Sequence, residues 1–148
     1  MKLNIVGIYD RGILPKERVH CRAEVDLDMS FIALLDTTMV SATEVKAGEL
    51  KCYWFLPLKV QAGEHVVIYT RAGVANAENR ADGSRYHFLF RGLVNTLYAS
   101  ASSVATLLSI DTWTTIAPPG PGIAPPSALS SGLFTGLGGG TVNSLIPK

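Results

Sequence analysis

Residues 18–27, Arg-Val-His-Cys-Arg-Ala-Glu-Val-Asp-Leu, alternate between polar and apolar side chains at every position. Successive side chains of a β-strand point to opposite faces of the sheet, so this pattern predicts a strand with one buried and one wet face. The side chains expected to point inward are Val19, Cys21, Ala23, Val25 and Leu27. The polar side chains between them, His20 included, are expected to face solvent.

On both sides of this strand, several other segments are also predicted to form short β-strands. They are separated by turn residues at 10–12, 47–48 and 62–63, and by a long polar loop at 73–84. The predicted strands are 3–9, 18–27, 31–40, 50–56, 65–71, 85–91 and 104–116. Short strands at this spacing favour a β-sandwich or barrel. Segment 100–108 is the best helical alternative, but its β-branched residues and serines weaken it.

Some of these strands also indicate which side chains form the core. Trp54 lies in segment 50–56, which is apolar on both faces and predicts a central strand. Val66 and Ile68 are expected beside it in the core. Residues 85–91 interleave aromatic and basic side chains, a pattern that also occurs on stacking platforms for single-stranded nucleic acid. Because net charge is only +1, we favour a core-facing role for these aromatic residues.

The distribution of charge divides the chain near Ala117. Asp111 is the last charged residue before Lys148, and from Pro118 onward the sequence is rich in Pro, Gly and Ser. Prolines at this density remove backbone donors and prevent a regular helix or a central strand. The sequence therefore predicts a β-domain over residues 1–117 and an extended, irregular arm over 118–148.

The arm combines large apolar side chains with a lack of charge, whereas disordered tails are usually charged and poor in such groups. Burial against another protein chain would offset the entropy lost on ordering the arm. The residues expected to bind partner chains are Ile123, Leu129, Leu133, Phe134, Leu137, Val142, Leu145 and Ile146. The alternative is that the arm folds back over its own domain.

The composition argues against several functional classes. A net charge of +1 provides no field that would hold nucleic acid or an anionic membrane. No segment resembles a signal peptide or a membrane span. Cys21 and Cys52 are too few for a disulfide framework or a zinc site, and two free, buried thiols are favoured over one disulfide.

The sequence also lacks the motifs that are typical of catalytic and metal-binding sites. His20, His65 and His87 have no His or Cys at ligand spacing, so we expect no metal site. The chain contains neither a Gly-x-Ser-x-Gly elbow nor a P-loop. We therefore expect a protein that is not an enzyme and that uses no cofactor.

Residues 53–73 resemble part of the lamin tail domain, an immunoglobulin-like β-sandwich family. The stretch from Tyr53 to Tyr69 is similar to that family's aromatic-Pro element followed by a turn and a strand, and it ends in Ala72-Gly73. Segments 90–96 and 103–110 are similar to the family's last two strands. The resemblance implies an Ig-like β-sandwich, a habit of binding other macromolecules and no catalytic residues.

A small domain with an uncharged arm also resembles the decoration, or cement, proteins of tailed bacteriophages. This resemblance implies a structural virion protein, made in the host cytoplasm, that binds neighbouring subunits such as the major capsid protein or further copies of itself. It implies no small-molecule substrate and no membrane. The alternatives are a phage neck or tail component, or an Ig-like module that binds a host surface, a carbohydrate or nucleic acid through loop 73–84.

Overall fold

The computed structural model describes residues 1–46 and 51–119. These residues form eleven short strands and one 3-10 helix, Met29–Phe31, so the described chain is all-β as predicted. The strands are β1 Leu3–Tyr9, β2 Arg18–Ala23, β3 Leu27–Asp28, β4 Ile32–Met39, β5 Val45–Lys46, β6 Cys52–Trp54, β7 Lys59–Val60, β8 His65–Tyr69, β9 Asn76–Asn79, β10 Arg85–Phe90 and β11 Ser103–Ser109. The predicted partner-binding residues, Ile123 to Ile146, lie outside the described residues.

The first sheet holds five strands in the order β1-β2-β8-β10-β9. Its neighbouring strands are antiparallel except β8 and β10, which are parallel. The predicted alternation is confirmed over β2, where Val19, Cys21 and Ala23 are buried. Val25, however, is 45% exposed. The strand ends before it because Ala23 lies opposite Leu3, where the pairing with β1 stops.

The second sheet places β4 between β11 on one side and β5 and β6 on the other. β3 and β7 form a separate two-stranded sheet. Both large sheets contribute to one hydrophobic core, which contains Leu3, Val19, Val66 and Ile68 from the first sheet and Ile32 and Leu34 from the second. The prediction that Val66 and Ile68 are core residues is therefore confirmed.

The prediction for Trp54 is wrong, because its side chain is 47% exposed. Tyr53 and Phe55 pack into the core with their rings 4.9 Å apart, so strand alternation turns Trp54 to the outer face. Its indole N–H donates to the Ser30 carbonyl at 2.8 Å. In the described part of the chain β6 pairs with β4 alone, so the predicted central strand lies beside β4 at an edge.

Three further predictions need correction. The polar loop at 73–84 contains strand β9, which pairs with β10. The strand predicted over 104–116 ends at Ser109, and its early part is the segment for which a helix was the alternative. The short strands β5 and β7 were missed because two residues are too few to show a period.

A buried carboxylate ties distant loops together between β1 and β2. Glu17 is fully buried, and its side chain accepts hydrogen bonds from Gly12 N, Leu97 N and the Thr70 hydroxyl, each at 2.8 Å, and from Tyr98 N at 3.2 Å. Burial alone would raise the pKa of Glu17, but these hydrogen bonds outweigh it and hold the pKa below its usual range. Glu17 therefore acts as an ionised structural bridge between three loops.

The two cysteines are unbonded, as predicted, but they differ in environment. Cys21 is buried on β2, and burial raises the pKa of its thiol to about 12. Cys52 is exposed, which contradicts the prediction of two buried thiols. The reason is again the phase of β6, in which Cys52 and Trp54 share the outer face.

Candidate functional site

The outer face of the first sheet carries a concentrated set of aromatic side chains and arginines. Because Val19, Val66, Ile68 and Leu89 pack at the core, their neighbours along the same strands point away from it. We name this surface the aromatic–arginine face; it comprises Tyr9, Arg18, His20, His65, Tyr69, Tyr86, Phe88 and Phe90, flanked by Arg71 and Arg80. The expectation that the aromatic residues of 85–91 face the core is therefore wrong.

One row of rings on this face crosses four strands. Tyr9 on β1 lies 6.1 Å from His20 on β2, and His20 lies 5.0 Å from His65 on β8, measured between ring centroids. His65 stacks on Tyr86 of β10 at 4.4 Å with the ring planes 9° apart. The Arg80 guanidinium ends the row 4.0 Å from the centre of the Tyr86 ring. The row is thus a continuous chain of cross-strand contacts capped by a cation.

A second cluster of rings lies further along the same strands. Tyr69 and Phe90 stack at 5.2 Å with their planes 12° apart, and the Arg71 guanidinium lies 5.0 Å from one ring centre and 4.9 Å from the other. The backbone of Gly73 passes so close to the Phe90 ring that an added Cβ would clash with it. Stacked rings cover each other's faces, so this part of the sheet presents mainly ring edges outward.

The arginines of the face differ in how far they are already satisfied. Arg18 pairs with Asp10 and donates to the Lys16 carbonyl at 2.9 Å. Arg71 donates to the carbonyls of Pro15 at 3.0 Å and Ala72 at 2.9 Å. Since two of these three arginines, Arg18 and Arg71, bind acceptors of their own chain, the face is rich in donors but has only a modest excess of positive charge.

Two histidines share a hydrogen bond in the middle of the face. His20 Nε2 and His65 Nδ1 are 2.9 Å apart, so at least one of the two rings must be neutral for the bond to form. Burial lowers the pKa of both rings, and the nearby charges of Arg18 and Arg22 lower them further, although Asp82 acts in the opposite direction on His65. His20 lies on the outer face of its strand as predicted, but its ring is half-buried and bonded to His65 rather than fully solvated.

Two further polar clusters lie on the core side of the fold. His87 Nε2 is 2.8 Å from a Glu64 carboxylate oxygen beside a shallow groove of about 500 Å³. Asp36 accepts from Arg91 at 2.8 Å and from the Tyr98 hydroxyl at 2.6 Å. The first cluster joins β10 to the turn before β8, and the second joins β4 to the loop after β10. Both clusters therefore have a structural role.

The opposite side of the molecule carries a smaller aromatic group, the tryptophan cluster of Phe31, Trp54 and Trp113. The Trp113 ring lies 5.1 Å from Phe31 and 5.3 Å from Trp54, in edge-on arrangements. This cluster covers the outer face of the second sheet where the chain leaves β11. It therefore fixes the side of the domain from which residues 114–119 depart.

A sequence signal for the aromatic–arginine face did exist, since the interleaving of aromatic and basic residues at 85–91 marks it.

No group of three or more His, Cys, Asp or Glu side chains within residues 1–46 and 51–119 is placed to hold a metal ion. The same residues contain no helix long and apolar enough to cross a lipid bilayer.

Comparison with known proteins gave no match among protein-family models, curated proteins or solved structures.

Proposed function

We propose that the chain is a non-enzymatic structural protein with an Ig-like β-sandwich of the lamin-tail type, which binds other protein chains within a large assembly. A capsid decorated or cemented by this protein is the assembly we favour. The aromatic–arginine face is the observation that carries the proposal. The arm residues Ile123, Leu129, Leu133, Phe134, Leu137, Val142, Leu145 and Ile146 belong to the same proposal as a second point of attachment.

The exposure of the face supports a binding role. Tyr9 is 41% exposed and the remaining rings of the face are half-buried. Val67, which lies on the same side of β8, is only 5% exposed because these rings cover it. A wide apolar surface of this kind is typical of sites that bind another macromolecule.

The chemistry of the face favours a polypeptide over a polyanion. Single strands of nucleic acid bind to free ring faces and to unpaired cations that follow the phosphates. Here several ring faces stack on one another, and Arg18 and Arg71 already bind acceptors. Peptide groups instead need ring edges, apolar area and donors for their carbonyls, all of which this face offers.

The test is to pan the full-length chain against a random peptide library, with the Tyr9→Ser/Phe88→Ser variant as counter-selection. We expect peptides that bind the wild-type chain and not the variant. Labelled oligothymidylate, oligouridylate and a glycan array are tested in parallel. Binding of an oligonucleotide or glycan through the face, with no peptide enriched, would overturn the proposal in favour of a nucleic-acid or carbohydrate module.

A further inference from the structure

The aromatic–arginine face needs a ligand that offers apolar surface and neutral acceptors. The segment around Gly73 packs against Phe90 at its rim, while the second sheet lies on the far side of the core. The donors on the face are the hydroxyls of Tyr9, Tyr69 and Tyr86 and the arginine guanidinium groups. An uncharged strand rich in acceptors would satisfy these donors, and it would bring no cation to compete with Arg18 for Asp10.

The chain itself contains such a segment. Residues 118–126 are Pro-Pro-Gly-Pro-Gly-Ile-Ala-Pro-Pro, and five of these nine residues are prolines. Proline has no backbone N–H, so acceptors outnumber donors in the segment, and its preferred polyproline II conformation leaves the carbonyls free for a partner. Proline-rich segments commonly dock on aromatic surfaces in this way. The glycines at 120 and 122 allow the backbone to approach the rings closely.

The length of segment 118–126 also covers the width of the first sheet. Nine residues in polyproline II conformation extend about 28 Å at 3.1 Å per residue. Five strands at about 4.8 Å spacing make the first sheet about 19 Å wide. The segment is therefore long enough to cross every strand of the face.

The position of Trp113 favours a second copy as the source of the whole segment 118–126. Trp113 packs on Phe31 and Trp54 at the outer side of the second sheet, opposite the aromatic–arginine face. Packed sheets lie about 10 Å apart, and a side-chain layer on each outer face brings the separation of the two surfaces to about 20 Å. Pro118 follows Trp113 by five residues, which span at most about 17 Å. The first prolines of the arm thus fall short of their own face.

We infer that the aromatic–arginine face binds the proline-rich segment 118–126 of a second copy of this chain. This inference rests on the proposed function, because it names the polypeptide that the face holds. Each copy has one such face and one such segment. Copies can therefore bind head-to-tail in chains or rings, or exchange their segments reciprocally in a two-fold dimer.

The first experiment measures fluorescence anisotropy of a labelled synthetic peptide with the sequence of residues 116–128. The receptor is the full-length chain with the five prolines of 118–126 replaced by Ala, so that its own arm does not compete. We expect the peptide to bind, and Tyr9→Ser/Phe88→Ser in this receptor to weaken binding about tenfold or more, the equivalent of one well-packed aromatic contact or two. Trp54→Ser, an equally exposed aromatic position on the opposite side, is the matched control and should leave binding unchanged.

A peptide with the same five prolines replaced by Ala should bind at least about tenfold more weakly, and this comparison uses one receptor throughout, so it does not depend on how the face variant folds. Sedimentation velocity of the wild-type chain should show oligomers that grow with concentration and disappear in the proline-free variant. Equal binding by the Ala peptide or by the face variant, or a wild-type chain that stays monomeric at all concentrations, overturns the inference. If library peptides bind the face but the 116–128 peptide does not, the inference fails and the proposed function stands; if no peptide binds, both fail.

Discussion

Replacing Glu17 by Gln tests how strongly the buried carboxylate holds the fold together. Each carboxylate oxygen accepts two hydrogen bonds: one oxygen from Gly12 N and Tyr98 N, the other from the Thr70 hydroxyl and Leu97 N. The amide NH₂ of Gln cannot accept, so one or two donors lose their acceptor, depending on which way the amide turns; the Thr70 hydroxyl can rotate and accept from it, but the backbone N–H groups cannot. A buried donor without a partner costs about 1–3 kcal/mol, which gives a loss of about 1–6 kcal/mol. A domain of this size has only about 5–15 kcal/mol of stability in total.

The measurement is urea unfolding of both proteins, followed by tryptophan fluorescence. Glu24→Gln, at an exposed position beyond β2, is the matched control and should change the free energy of unfolding by less than about 0.5 kcal/mol. Thr70→Val removes a single neutral donor and should cost about 1 kcal/mol. If Glu17→Gln unfolds within about 0.5 kcal/mol of the wild type, the carboxylate is not the bridge described above.

The lowered pKa of Glu17 adds a pH signature to the same pair of proteins. A carboxyl group whose pKa is lower in the folded state stabilises the fold above its ordinary value of 4.5, and that contribution is lost as pH falls below it. The difference in stability between wild type and Glu17→Gln should therefore shrink on acidification. A constant difference down to the acid transition would contradict an ionised Glu17.

Three other predictions follow from the described residues. Trp54→Ala should lower the free energy of unfolding by about 1–2 kcal/mol, less than the 3–5 kcal/mol typical of a buried large aromatic, and a urea titration that gives the larger value would contradict its half-exposed position. A thiol reagent should modify Cys52 in the native chain and Cys21 only after unfolding, and fast labelling of two thiols would refute the burial of Cys21. The lowered pKa values of His20 and His65 mean that their contribution to stability is present above pH 6.5 and declines below it. His20→Gln should therefore weaken the fall of the melting temperature as pH drops from 6.5 towards the range where carboxylates titrate. If the melting temperature of His20→Gln falls as steeply with pH as that of the wild type, the histidine pair is not the cause of the fall.

Strands with one apolar face were predictable from the sequence, and strands with two were not. β2 alternates strictly, so its buried residues followed from the pattern alone. In the segment around β6 both sets of side chains are apolar, which leaves the phase open, and Trp54 was assigned to the wrong face. The same ambiguity affects β10, where the aromatic side chains compete with His87 and Leu89 for the core.

Glu17 was not predictable for a different reason. An acidic residue gives no sequence signal of burial, and the donors that compensate it come from residues as far as 81 positions away along the chain. The neutral pairing of His20 with His65 likewise depends on the register that places β2 beside β8. Features of this kind arise from the pairing of distant strands, on which local periodicity carries no information.

The pairing of β4 with β11 has a consequence for the order of events during synthesis. The two strands share the longest ladder of the second sheet, yet they are far apart in the chain: the hydroxyl groups of Thr37 and Thr106, 69 positions apart, share a hydrogen bond. Closing so long a loop is slow, and a topology dominated by such contacts typically folds in milliseconds to seconds. At a synthesis rate of about 5–20 residues per second, β11 leaves the ribosome several seconds after β4. Until then the open edge of β4 is free to pair with the wrong strand.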